Sequence, residues 1–99
     1  MRIEIPHHTT RERARQIIEQ KVNALLQRFG GQADEFTHSW SGDTLEFKGK
    51  ARGFSVNGTI EITDSHAILE GKLPLLAKPF EPKIADAVRK EADAMFRTA

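Results

Sequence analysis

Residues 54–62 read Phe54-Ser55-Val56-Asn57-Gly58-Thr59-Ile60-Glu61-Ile62, and the fold turns on whether the central Asn57-Gly58 is a hairpin turn. Asn-Gly is ordinarily a strong two-residue hairpin signal, because both residues accept a positive φ. The apolar phase says otherwise. Across a two-residue turn the flanking residues pair and share a face, so the parity of the apolar residues must switch there. Phe54, Val56, Ile60 and Ile62 keep one parity straight through Asn57-Gly58. The stretch is therefore predicted to be one uninterrupted strand.

Parity does switch on either side of it. It changes from Trp40 to Leu45 across Gly42-Asp43, from Ala51 to Phe54 across Arg52-Gly53, and from Ile62 to Ala67 across Asp64-Ser65. Residues 36–73 are thus predicted to form a four-stranded antiparallel meander. One face collects Phe36, His38, Trp40, Leu45, Phe47, Ala51, Phe54, Val56, Ile60, Ile62, Ala67, Leu69 and Leu73. The other is polar, with Lys48, Lys50, Asn57, Thr59, Glu61, Glu70 and Lys72 among its members. Such separation means one packed side and one wet side. Pairing about the three turns aligns His38, Phe47, Gly58 and Gly71 in one row on the packed face. Two adjacent glycines leave a dent there, into which a helix or the Phe47 ring can come close.

Before the meander, Arg2 to Pro6 alternates as a short strand, with Ile3 and Ile5 on one side. Thr9-Thr10-Arg11-Glu12 fits a capping box with Thr9 as the cap and Glu12 reaching back. Ala14, Ile17, Ile18, Val22, Leu25, Leu26 and Phe29 then recur at helical spacing, and Gly30-Gly31 closes that helix of about five turns. After the meander, a second helix is predicted from about Pro82 to Arg97, with Ile84, Val88, Ala92, Met95 and Phe96 as its apolar stripe. The order is β-α-β-β-β-β-α. The expected α+β architecture is a curved antiparallel sheet with both helices on its single apolar face, similar to TATA-binding-protein-like or reduced helix-grip folds.

Ninety-nine residues predict a single domain, residues 1–99. A composition 38% hydrophobic and 29% charged excludes a disordered or membrane-embedded chain. No apolar run approaches a membrane span and no signal peptide is visible, so cytoplasmic residence is expected. The absence of cysteine removes disulfides, thiol nucleophiles and thiolate metal sites. A net charge of +1 gives no bulk attraction to nucleic acid.

Catalytic chemistry is hard to find. His7 and His8 are adjacent and diverge in an extended chain, His38 faces the core, and His66 follows a turn. None has the spacing of a metal site. Asp43 and Asp64 belong to turns, where they bond the local backbone. Glu46 and Glu70 share the wet face with Thr59 between them, without the enclosure that tunes an acid–base pair. There is no nucleophile elbow and no glycine-rich phosphate loop. No catalytic residue, metal site or cofactor is assigned, and a non-enzymatic protein is expected. Lys48, Lys50, Arg52 and Lys72 form a basic group, but no aromatic residues interleave with them as a stacking platform requires. Nucleic acid is not the expected partner.

Residues 71–84, GKLPLLAKPFEPKI, carry more apolar surface than a connection needs. Phe80 and one of the two leucines are expected to close the core beneath the second helix, Phe80 as a hydrophobic staple. What remains, Leu75, Leu76 and Lys78 with Lys50 and Arg52 at the same sheet end, forms a candidate interaction surface. A second candidate is a small-ligand pocket between sheet and helices at His38, Trp40, Phe47, Gly58 and Gly71, suited to an acyl or hydroxyacyl group. An exposed edge strand or the sheet face also offers a route to a homodimer.

IPHHTTRERAR (5–15), ARGFSVNGTIEIT (51–63) and LPLLAKPFEPKI (73–84) together resemble the small polyhydroxyalkanoic acid system proteins, over Ile3 to Phe96. The resemblance implies a bacterial protein of polyhydroxyalkanoate granule gene regions and brings no catalytic residues with it. The implied role is an accessory one in polyhydroxyalkanoate metabolism, through binding to the granule surface or to a granule-associated protein. The chain lacks the long alanine-rich amphipathic helix that would coat a polymer directly.

Overall fold

The computed structural model describes residues 1–29, 35–51, 53–73 and 75–97. Gly30-Gly31, Arg52 and Pro74 lie outside the described residues, as do the side chains of Phe29, Ala51 and Phe54. The elements are β1 (Arg2–Pro6), α1 (Arg11–Phe29), β2 (Glu35–Ser41), β3 (Thr44–Ala51), β4 (Phe54–Ile62), β5 (His66–Lys72), a 3-10 helix (Leu75–Phe80) and α2 (Glu81–Arg97). This is the α+β order read from the sequence, with one added short helix.

The five strands form an open antiparallel sheet in the order β1-β5-β4-β3-β2. Asn57-Gly58 lies inside β4. The turn at Gly42-Asp43 is closed by the Ser41–Thr44 pair, and Gly42 takes the positive φ of 60° that the turn requires. Ala51 pairs with Phe54, and Ile62 with Ala67, as the parity switches demand. The predicted row is present residue for residue: His38 opposite Phe47, Phe47 opposite Gly58, Gly58 opposite Gly71.

One core lies on one face of the sheet. Ile3, Ile5, Leu45, Ile62 and Ala67 meet Ala14, Ile17 and Ile18 of α1 and Ala92 and Phe96 of α2. Both helices therefore cover the same face. Cover is uneven along them. In the first half of α1 the stripe residues Ala14, Ile17 and Ile18 are buried, whereas further along Leu25 is 41% exposed, and Val56 on the sheet is 36% exposed. On α2 the residues against the core include Ala85 and Val88, one step along from the expected start at Ile84.

Two local expectations are corrected. The α1 cap is Thr10, not Thr9: its Oγ1 accepts from the Arg13 N–H at 3.1 Å, and its carbonyl accepts from Ala14 N–H at 2.9 Å. Thr9 instead donates its N–H to Nδ1 of His7 at 3.2 Å, which holds it one position outside the helix. Phe80 does not staple the core, being 59% exposed. Met1 does pack on the core near the start of α2, with its amine 3.4 Å from Glu81, the first residue of that helix.

Candidate functional site

Six residues, Leu75 to Phe80, wind as a 3-10 helix that leans on α2 and buries no side chain. A 3-10 turn repeats every three residues, so a piece this short shows most of its surface. Leu75 is 78% exposed, Leu76 75% and Phe80 59%, with Lys78 also exposed among them. Both leucines face water, where the sequence placed one of them inside. Three large apolar side chains are thus exposed on one six-residue segment, and clustered exposed apolar surface marks contact surfaces. Lys50 sits on the wet face of β3 opposite Ser55, and Arg52 is outside the described residues.

Of the five candidate pocket residues, Gly58 and Gly71 line one depression and Trp40 another. Phe47 fills the glycine dent: a Cβ on Gly58 would meet its Cζ at 2.8 Å and would also collide with the carbonyl oxygen of Glu70. Gly58 and Gly71 line an open depression of about 440 Å³ with the polar Arg2, Asn57, Glu70 and Lys72. Trp40 lines a separate open groove of about 660 Å³ beside α1 with Glu12, Arg15 and Glu19.

That groove contains a group that sequence reading missed. The Trp40 indole N–H donates to Glu19 Oε2 at 2.6 Å, and His38 Nε2 lies 3.3 Å from Oε1 of the same carboxylate. The Arg15 guanidinium lies 4.8 Å from the Trp40 ring centroid, at cation–π distance. Chiefly the Trp40 hydrogen bond holds the Glu19 carboxyl below its usual range. Partial burial opposes this, and His38 and Arg15 add smaller favourable contributions. A half-buried tryptophan needs an acceptor for its N–H, and a carboxylate on the flank of the apolar helix stripe was the available signal.

The histidines take structural positions. His7 is fully buried: its Nε2–H donates to the Thr63 carbonyl at 2.8 Å, while Nδ1 accepts from Thr9. Its ring lies 6.1 Å from that of Phe96. His8 points away, is exposed, and takes a φ of 54°. Among the described residues no three His, Asp or Glu side chains converge as a metal site. Asp43 and Asp64 do not, among the described residues, bond their own turns as expected; in the second turn Thr63 Oγ1 accepts from the backbone N–H of Ser65 and His66 instead. Both aspartates accept from Arg11 at the start of α1, at 3.0 and 2.6 Å, which raises the Arg11 pKa, Asp64 being the main cause. On the wet face Lys48, Asn57 and Lys72 stand in one row and Glu46, Thr59 and Glu70 in the next, so positive and negative charges alternate.

No helix among the described residues is long and apolar enough to cross a membrane. No curated protein and no solved structure matches the chain significantly. A family model described as "Putative polyhydroxyalkanoic acid system protein" matches residues 1–96. That match takes in all three quoted segments and every element but the last residue of α2. The chain belongs to the polyhydroxyalkanoic acid system family.

Proposed function

We propose that this is a non-catalytic accessory protein of polyhydroxyalkanoate metabolism that docks, in the cytoplasm, on the granule surface or on a granule-associated protein. The observation that carries the proposal is the exposure of Leu75, Leu76 and Phe80 together on one short 3-10 helix. Covering an exposed leucine contributes about 1.5–3 kcal/mol, so contact with these exposed side chains supplies useful affinity without an enclosed pocket. Family membership supplies the setting. The small-ligand alternative has no comparable support, because the Phe47 ring occupies the glycine dent and the grooves nearby are open to solvent rather than enclosed.

The test is co-sedimentation with isolated granules. Leu75→Ser with Leu76→Ser is expected to abolish co-sedimentation while the circular dichroism spectrum stays that of the folded wild type. Unchanged co-sedimentation of the folded variant rejects docking through this patch.

A further inference from the structure

The two edges of the sheet differ in how they are protected. Edge strands expose unpaired N–H and C=O groups, and proteins blunt them with short length, charge or proline. At one edge, β1 has all three: five residues, Arg2 and Glu4 on its wet side, and Pro6 at its end. At the other edge, β2 runs for seven residues as Glu35-Phe36-Thr37-His38-Ser39-Trp40-Ser41, with no proline, no lysine and a formal charge only at Glu35.

The free polar groups of β2 can be assigned from the ladder. Ile62 donates its N–H to the Asp43 carbonyl at 2.9 Å, one pair outside Thr44–Glu61. Backbone groups in an antiparallel strand alternate in direction. The odd-numbered residues of β3 therefore bond to β4 and the even-numbered ones to β2. Ser41, Ser39, Thr37 and Glu35, opposite Thr44, Glu46, Lys48 and Lys50, carry the β2–β3 bonds. Phe36, His38 and Trp40 aim their N–H and C=O groups away from the sheet.

We propose that β2 is a self-association edge. Two copies of the chain pair antiparallel through β2 about a two-fold axis at His38, joining their five-stranded sheets into one. This register uses all three outward-facing residues. His38 bonds to His38 of the second copy, Phe36 to its Trp40 and Trp40 to its Phe36. On the packed face each Phe36 then lies opposite a Trp40, an aromatic cross-strand pair that stabilises sheets. On the wet face Thr37 lies opposite Ser39 and Glu35 opposite Ser41, so no two carboxylates or ammonium groups oppose. The helices leave room. α1 packs over β4 and reaches β2 through the Glu19 and Arg15 side chains, and the two copies of β4 lie five strand spacings apart, about 24 Å at about 4.8 Å each. The second copy's Phe36 completes the Glu19–Trp40–His38 group from the open side. The Leu75–Phe80 patch is not part of this edge, so pairing and docking stand or fall separately.

The cysteine-free chain permits a register-specific test. Thr37 and Ser39 of the second copy form a non-hydrogen-bonded pair, with Cα atoms about 4.5 Å apart, inside the disulfide range of about 4.4–6.8 Å. The diagonal contacts, Thr37 with Thr37 of the second copy or Ser39 with its Ser39, lie at about 7–8 Å, too far for a disulfide. Wild type is expected to sediment at twice its 11.1 kDa mass. Under oxidation, a mixture of the Thr37→Cys and Ser39→Cys proteins is expected to form a disulfide-linked dimer that neither variant forms alone. A monomeric wild type overturns the proposal. So does a mixture that does not cross-link, or a single variant that cross-links as readily as the mixture.

Discussion

At the scale of the residue, Gly58 and Gly71 stand side by side in the sheet and have unequal duties. A Cβ at Gly58 would press on the Phe47 ring and the Glu70 carbonyl, and the carbonyl belongs to a paired strand and cannot yield. At Gly71 the nearest atoms are the Asn57 carbonyl oxygen at 3.6 Å and the Met1 methyl at 3.9 Å, which are ordinary contacts. Gly58→Ala is expected to cost about 1–3 kcal/mol through overpacking, whereas Gly71→Ala stays within about 0.5 kcal/mol of wild type. Urea denaturation of both variants measures the difference. The sequence marked both glycines as a dent, because parity put them in one row. It could not say which was filled, because that depends on the direction in which the Phe47 ring lies.

At the scale of the element, legibility followed the periodicity. The registers of β2 to β5 were readable residue for residue, since a period of two leaves no freedom once the turns are fixed. The helix stripe of α1 was equally plain in its first half, at Ala14, Ile17 and Ile18, but not at Leu25, which is exposed. The cap was not plain: Thr9 and Thr10 offer the same hydroxyl, and the choice falls to His7, whose buried ring captures the Thr9 N–H. Thr10→Ala is expected to lower stability by about 1 kcal/mol, and Thr9→Ala by clearly less, because only Thr10 Oγ1 caps the helix. Thermal unfolding of the pair decides between the two. The 3-10 helix escaped the sequence for a different reason. An apolar connection is ordinarily read as core, and no local pattern marks Leu75, Leu76 and Phe80 as exposed.

At the scale of the whole molecule, the side chains least legible in the sequence are those that join distant elements. Arg11 ties two hairpin turns to the start of α1, Lys21 bridges to Glu91 of α2 at 2.9 Å, and Glu19 joins α1 to β2. No local pattern encodes such pairs, nor the pairing of β1 with β5. Glu19 gives a pH test of this layer. Its carboxyl titrates below the ordinary range in the folded protein, with Trp40 the main cause. A depressed folded pKa contributes stability above the unfolded value, and that contribution is lost as pH falls through the folded one. Wild type is therefore expected to exceed Glu19→Gln in melting temperature at neutral pH, with the gap closing below about pH 4 as both states protonate. A gap independent of pH would show that the Glu19 charge contributes nothing.

Docking is measured most plainly by a binding isotherm on intact polyhydroxyalkanoate granules, for wild type and for the Leu75→Ser, Leu76→Ser variant. Removing two exposed leucines from a contact costs roughly 3 kcal/mol, or about a hundredfold in affinity. Docking through the 3-10 helix predicts a rightward shift of that size, with the folded circular dichroism spectrum and the unfolding midpoint retained. Superimposable isotherms from two equally folded proteins would rule it out.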